Sequence, residues 1–304
     1  MYVYLPIAEM SVDAGLILVI SACIGFLSGL VGVGGGFIMT PALIFMGIPP
    51  AIAVATEASQ ITAASVSGVL AHSRRKGVDL RMGLLLTIGG VVGSTLGVWV
   101  FARLKALGQV DLLISIFYVF FLGLIGGLML WESLRALRRR GQGLPPVRRN
   151  RVLRGFAHSL PLRMRFPQSG LYVSVIPPVL IGALAGLLAA IMGVGGGFMM
   201  VPAMIYLLRM PAHVVIGTSL FNVMIVTALV TVLQASQSHS VDLMLAALLI
   251  GGGVVGAQLG VRAGTRLKAE ELRVLLGLVV LGTGLWLFVG LVATPKEFFT
   301  MSSP

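Results

Sequence analysis

Apolar and polar positions along this chain fall into long blocks rather than short alternations. Mostly apolar runs occur at 12–31, 51–72, 79–101, 109–134, 171–192, 212–235, 241–263 and 270–293. An α-helix needs about 20 such residues to cross lipid hydrocarbon. Two shorter apolar pieces, 36–48 and 197–209, each follow a glycine cluster. The pattern predicts an all-α integral membrane protein. Met1–Asp13 holds Glu9 and Asp13 but no Lys or Arg, so the first run reads as a retained helix and not as a cleaved signal. Between 135 and 170 the apolar character stops, with ten arginines, four prolines and no Asp or Glu. This divides the chain into a first membrane repeat at 1–134, a basic linker at 135–170, and a second membrane repeat with a short tail at 171–304.

The two membrane segments are copies. Gly32-Val33-Gly34-Gly35-Gly36-Phe37 returns as Gly193-Val194-Gly195-Gly196-Gly197-Phe198, and each is followed by Pro-Ala, at Pro41-Ala42 and Pro202-Ala203. Allowing small gaps, Pro49 matches Pro211, Thr56 matches Thr218, and Val78-Asp79-Leu80 matches Val241-Asp242-Leu243. Gly89, Gly93 and Gly97 match Gly252, Gly256 and Gly260, and Arg103-Leu104-Lys105 matches Arg266-Leu267-Lys268. So many matches in order mark a duplication of the kind found in transporters built from repeats.

Positive charge in short loops marks the cytoplasmic face. The linker is therefore inside, and so is the loop before Asp79, which carries Arg74, Arg75 and Lys76. Its counterpart, Ser236–Ser240, has no Lys or Arg and reads as outside. The next loop has the opposite bias, so the repeats are expected to be inverted relative to each other. That requires about five helices in each repeat, counting the short pieces after the glycines, and places both termini outside. A 13-residue short piece is only about 20 Å long. It is either a full second leg or half of a re-entrant hairpin, and both leave the sidedness unchanged.

Composition narrows the class further. Hydrophobic residues make up 57% of the chain and charged ones 11%, against roughly 45–50% and ~25% for soluble domains. That excludes an ordinary soluble enzyme, a disordered chain and a disulfide scaffold, and Cys23 alone cannot form an internal disulfide. The net charge of +12 would suit nucleic acid, but ten of those charges lie in 135–170. The charge thus describes orientation, and no nucleic-acid partner is expected.

The paired glycine clusters are the first candidate for chemistry. A glycine run that opens a helix presents free N–H groups at the positive end of the helix dipole, which suits an anion. Irregular backbone at membrane depth is tolerated only inside protein or beside a wet cavity. Gly34, Gly35 and Gly36, with Gly195, Gly196 and Gly197, are therefore candidate substrate ligands; a tight turn or close helix packing is the alternative. Thr218, Ser219 and Asn222, and Thr56 and Gln60 at the matching places, could add neutral hydrogen bonds unless the hydroxyls bond back to their own helix. Glu57 is the acidic residue well inside a predicted span, where charge is costly and marks function. It would repel an anion, so a proton-coupling role suits it better; a neutral, hydrogen-bonded Glu is the alternative. Asp79 and Asp242 sit where carboxylates cap helices, and the glycines spaced four apart read as helix packing. No catalytic pattern, metal spacing, ATP-binding motif or cofactor signature appears.

The duplicated Gly-Val-Gly-Gly-Gly-Phe with its following Pro, the Gly217-Thr218-Ser219 stretch and the Val-Asp helix starts together resemble the TauE/SafE family of sulfite exporters. The resemblance covers roughly 12–134 and 171–293. The first repeat departs from it, reading Ala55-Thr56-Glu57. The resemblance implies movement of a small sulfur-containing anion, such as sulfite, thiosulfate or an organosulfonate, across the bacterial inner membrane. The expected partners are that anion and membrane lipid. The expected mechanism is secondary transport by alternating access, against a passive anion channel, a carrier of a non-sulfur organic anion or a membrane scaffold. Oligomeric state is not legible.

Overall fold

A computed structural model describes residues 2–31, 35–74, 77–107, 110–141, 163–264 and 269–293. The described residues of the first repeat form a β1–β2 hairpin (Tyr2–Leu5, Met10–Asp13), then α1 (Ala14–Val31), α2 (Gly36–Phe45), α3 (Pro50–Ser73), α4 (Leu80–Ala106) and α5 (Val110–Gly141). The second repeat follows the same order. A β3–β4 hairpin (Arg163–Phe166, Leu171–Ser174) leads to α6 (Ile176–Met192), α7 (Gly197–Tyr206), α8 (Ala212–Gln237), α9 (Leu243–Gly264) and α10 (Ala269–Ala293). Among these, Leu80–Ala106, Val214–Gln237 and Leu243–Ala263 are long and apolar enough to cross a membrane.

Two features differ from the sequence reading. The run predicted as a helix from 171 begins with strand β4, and α6 starts only at Ile176, where Pro177 and Pro178 set the first turn. Each repeat is thus prefaced by an antiparallel hairpin, with Tyr2 opposite Asp13 and Arg163 opposite Ser174. Four-residue strands leave too little alternation to read against an apolar background. In addition, α5 continues into the arginine-rich segment as far as Gly141.

The short helices double back. Leu43 and Ile48 share a buried cluster with Leu5 and Val12 of the first hairpin and with Ile17 near the start of α1. So α2 returns to the end from which α1 sets out. In the second repeat, Met204, Leu208 and Met210 cluster with Phe166 and Val173 of the other hairpin in the same way.

The long helices pack across the repeats. The first helix of each repeat lies parallel to the glycine-striped fourth helix of the other. Along α1 and α9, Gly25 meets Gly253 and Gly29 meets Ala257. A Cβ on Gly256 would stand 2.0 Å from the Ala22 carbonyl oxygen. Along α4 and α6, a Cβ on Gly93 would stand 1.9 Å from the Ala183 carbonyl oxygen. Small residues four apart therefore allow backbone to touch backbone, which adds dispersion contacts where lipid offers no hydrophobic drive. Another face of α4 exposes Leu84, Ile88, Val92 and Leu96, a second stripe at the same spacing that suits lipid. The matching helices α3 and α8 run antiparallel at the centre, with Gly68 on Leu220 and the Thr62 and Thr227 hydroxyls 2.8 Å apart. Helices α5 and α10 are antiparallel as well, with Gly126 beside Val280 and Gly284 beside Leu122.

Gly93→Val or Gly256→Val should therefore lower the yield and melting temperature of purified protein, by at least the ~1–3 kcal/mol of an overpacked core. Gly251→Ala, whose added Cβ would meet Leu18 at an ordinary 3.6 Å, should melt within a degree or two of the parent.

Candidate functional site

The glycine clusters lie where the two repeats meet. Gly35 caps the start of α2 with φ 55°, and Gly196 caps α7 with φ 70°. Gly193 ends α6 at φ 71° and Gly195 follows at φ 73°. Left-handed backbone at these places admits glycine without strain. Helical bonding in α2 begins with Ile38 and Met39 donating to the Gly35 carbonyl, and in α7 with Met199 and Met200 donating to that of Gly196. The N–H groups of Gly36, Phe37, Gly197 and Phe198 precede those ladders, as the opening donors of any helix do. The loops abut: a Cβ on Gly36 would lie 2.8 Å from the Gly193 carbonyl oxygen and 2.9 Å from the Val194 Cα. Two positive helix ends thus converge on one buried crossing. Helices α3 and α8 pass beside it, with Val54 against Gly193 and both Ile61 and Val223 against Gly195. Gly34, with Gly32 and Val33, lies outside the described residues.

The other expected site residues sort into a central group and an end group. Gln60 and Asn222, at matching places on α3 and α8, are 3% and 1% exposed. Each packs on the opposite repeat's glycine stripe, Gln60 at Gly253 and Asn222 at Gly90. The Asn222 amide nitrogen donates to the Met200 sulfur at 3.6 Å, while the Gln60 Oε1 and Asn222 Oδ1 have no hydrogen-bond partner. Buried acceptors left unpaired in a native fold call for an explanation, such as a ligand or water.

Thr56 and Thr218 instead sit toward opposite ends of the molecule and tie the repeats together. The Asp242 backbone N–H donates to the Thr56 hydroxyl at 3.0 Å, and that of Asp79 to the Thr218 hydroxyl at 2.9 Å. Asp79 caps α4, accepting from the Met82 N–H at 3.2 Å, and its other oxygen accepts from the Ser169 N–H and hydroxyl at 3.1 and 2.6 Å. Asp242 caps α9 through the Met244 and Leu245 N–H groups and accepts from the Ile7 N–H at 2.9 Å. Each cap therefore holds the turn of a β-hairpin. Lys105, at the end of α4, donates to the Ser238 carbonyl and the Ser240 hydroxyl at 2.6 Å, at the Asp242 end. The Ser219 hydroxyl bonds back to the Ile216 carbonyl.

Glu57 is fully buried and accepts a hydrogen bond from the Thr40 hydroxyl of α2. Its second oxygen, Oε1, has no partner. Tyr118 of α5, also fully buried, interacts with the same Thr40 hydroxyl and with Glu57, and donates to the Met192 carbonyl just before Gly193. This links the carboxyl to the second glycine loop. Sequence reading missed Tyr118 because it stands among Phe117, Phe120 and Phe121, where an aromatic reads as packing. Thr40 was missed as well, although it follows the glycine run by one helical turn.

The family model for the sulfite exporter TauE/SafE matches residues 17–287. A probable membrane transporter protein of Bacillus subtilis, YjnA, is 28% identical over 272 residues, covering 88% of this chain and 97% of its own. A probable membrane transporter protein of Xylella fastidiosa is 30% identical over 267 residues, covering 86% and 90%. A shorter match, 33% over 93 residues, joins 30% of this chain to 20% of the sulfite exporter TauE/SafE family protein 3 of Arabidopsis thaliana. No solved structure matches.

Thr56→Val and Thr218→Val should each lower stability by about 1–3 kcal/mol, because each leaves a buried N–H unpaired. Ser219→Ala should cost much less, since its hydroxyl serves only its own helix. Thermal unfolding in detergent checks the order.

Proposed function

The chain belongs to the sulfite exporter TauE/SafE family and is a multi-pass membrane transporter, and on that premise we propose that it carries a small sulfur-containing oxyanion by alternating access between two inverted repeats. The observation that carries this reading is the meeting of two glycine-opened helix ends, Gly35–Phe37 and Gly195–Phe198, at one buried crossing beside Gln60 and Asn222. Helix N-termini and amide groups stabilise an anion without a full positive charge that would hold it too tightly for release. The antiparallel pairing of α3 with α8 and of α5 with α10 supports inversion, since matching helices of inverted repeats must run in opposite directions. Burial of the crossing from both ends suits a carrier better than an open channel.

In this reading the Asp79 end faces the cytoplasm, with the basic linker, and the Asp242 end faces outward across the inner membrane. Glu57 is the proton-coupling group. A carboxyl packed on α2 one turn from its N-terminus can be ionised when the anion is absent and protonated when it is bound, so that anion and proton move together. Thr40 and Tyr118 hold that carboxyl and connect it to the Met192–Gly193 turn.

Proteoliposomes loaded with sulfite, thiosulfate, taurine-like sulfonates or simple carboxylates test the reading. Saturable exchange of at least one sulfur anion is expected, with carboxylates moving about tenfold or more slowly. Gly195→Leu should abolish that exchange in folded protein, and full exchange would remove the crossing from the site. Glu57→Gln is expected to flatten the dependence of flux on pH. A variant keeping the parent's pH profile would show that Glu57 is not the proton carrier.

A further inference from the structure

Between the glycine crossing and the Asp79 end lies a cavity of about 10 Å3, the room a single water needs. Its lining includes Ser28 of α1, Ser65 and Gly68 of α3, Leu220 of α8 and Val261 of α9. The Ser65 hydroxyl is fully buried without a hydrogen-bond partner. Ser28 joins the cavity to the crossing, because a Cβ on Gly35 would stand 3.3 Å from its hydroxyl oxygen.

The duplication provides a comparison within the same molecule. Carried onto the other repeat by the matches that pair Gly32 with Gly193, Thr56 with Thr218 and Gly89 with Gly252, Ser28 becomes Ala189 and Gly68 becomes Val230. Leu220 becomes Ala58, and Val261 becomes Val98. Those four residues belong to one buried hydrophobic cluster with Ala190 and Val226. The cluster occupies the corresponding place between the crossing and the Asp242 end. Ser65 becomes Thr227, whose hydroxyl has two partners at 2.8 Å, the Val223 carbonyl and Thr62. One half of the path is therefore hollow and carries an unpaired hydroxyl, while the other is filled with apolar side chains and has its hydroxyl bonded.

A buried hydroxyl without a partner is costly, and the second repeat avoids that cost, with Ala189 in the place of Ser28 and a bonded Thr227 in the place of Ser65. The cost disappears in a state where the cavity widens and admits water or an oxyanion. We infer that Ser28 and Ser65 form a hydroxyl subsite for the transported oxyanion between the glycine crossing and the Asp79 end, and that the Ala58–Val98–Val226–Val230 cluster seals the opposite half of the path. This rests on the carrier reading above and adds the route to it. Hydroxyls donate to an oxyanion but carry no charge, so they guide it without trapping it. At about 10 Å3 the hollow excludes a sulfur oxyanion, so the structure corresponds to an occluded state that is looser toward the Asp79 end.

The experiment uses full-length protein in proteoliposomes with Cys23→Ser, to which Ser65→Cys or Val230→Cys is added. A small anionic methanethiosulfonate reagent should modify the Ser65→Cys protein at least tenfold faster than the Val230→Cys protein, as read by mass. Equal rates, or faster modification of Val230→Cys, would overturn the assignment. Ser65→Ala, which only removes the unpaired hydroxyl, should keep or raise the melting temperature while lowering sulfur-anion exchange about tenfold. Full exchange in this stable variant would also sink the subsite. A parent protein that exchanges no anion would refute the carrier reading itself, and the ratio of modification rates would still decide which half of the path is open.

Discussion

Where Gly93 meets Ala183 and Gly256 meets Ala22, a single added Cβ would collide with a carbonyl oxygen at about 2 Å. The rest of the architecture depends on that contact of bare backbone with bare backbone. It draws the first helix of each repeat onto the fourth helix of the other, so neither repeat can complete its packing alone. In that arrangement the start of α2 meets the glycine loop that precedes α7, with Gly36 against Gly193. The stripes that look like routine helix packing thus position the site.

The ends of the molecule are built on a second shared device. Asp79 and Asp242 each cap their own helix, receive the turn of a hairpin, and present a backbone N–H to a threonine of the other repeat. These bonds close both ends around a centre that is poor in satisfied polar groups. Glu57, Gln60 and Asn222 each keep a buried oxygen without a partner. Unpaired polar atoms at membrane depth are tolerated where a ligand or proton completes them. Bonded ends around an incomplete centre suit the proposed carrier, whose ends would open in turn while the centre holds the cargo.

The repeats also show where symmetry has been given up. Thr40 and Glu57 form a bonded pair in the first repeat, while the matching Val201 and Ser219 cannot. In the other direction, the apolar cluster around Val230 has no counterpart around Gly68, where a hollow remains. The repeats have thus diverged at the two places where the proposed carrier would need them to differ.

Much of this was legible from the chain because lipid leaves few choices. Without water in the bilayer core, backbone must be helical, so apolar blocks of the right length mark the helices to within a few residues. The doubled glycine motif and the buried carboxyl of Glu57 were visible because each is expensive in that setting. The hairpins before α1 and α6 were not visible, since four-residue strands at the surface obey no such constraint. Nor was the division of labour among the polar residues: Thr56 and Gln60 are one helical turn apart, yet one ties down a helix end and the other faces a glycine stripe. The sequence by itself determined the helices, the duplication and the candidate polar groups, because these follow from local composition and spacing. Which groups share the crossing, which tie the ends, and that Tyr118 joins Glu57 to the second glycine loop, only the tertiary structure decided. Those facts depend on which helices touch, and the exchange of helices between repeats sets that across distant stretches of chain, as between Gly93 and Ala183 or Gly256 and Ala22.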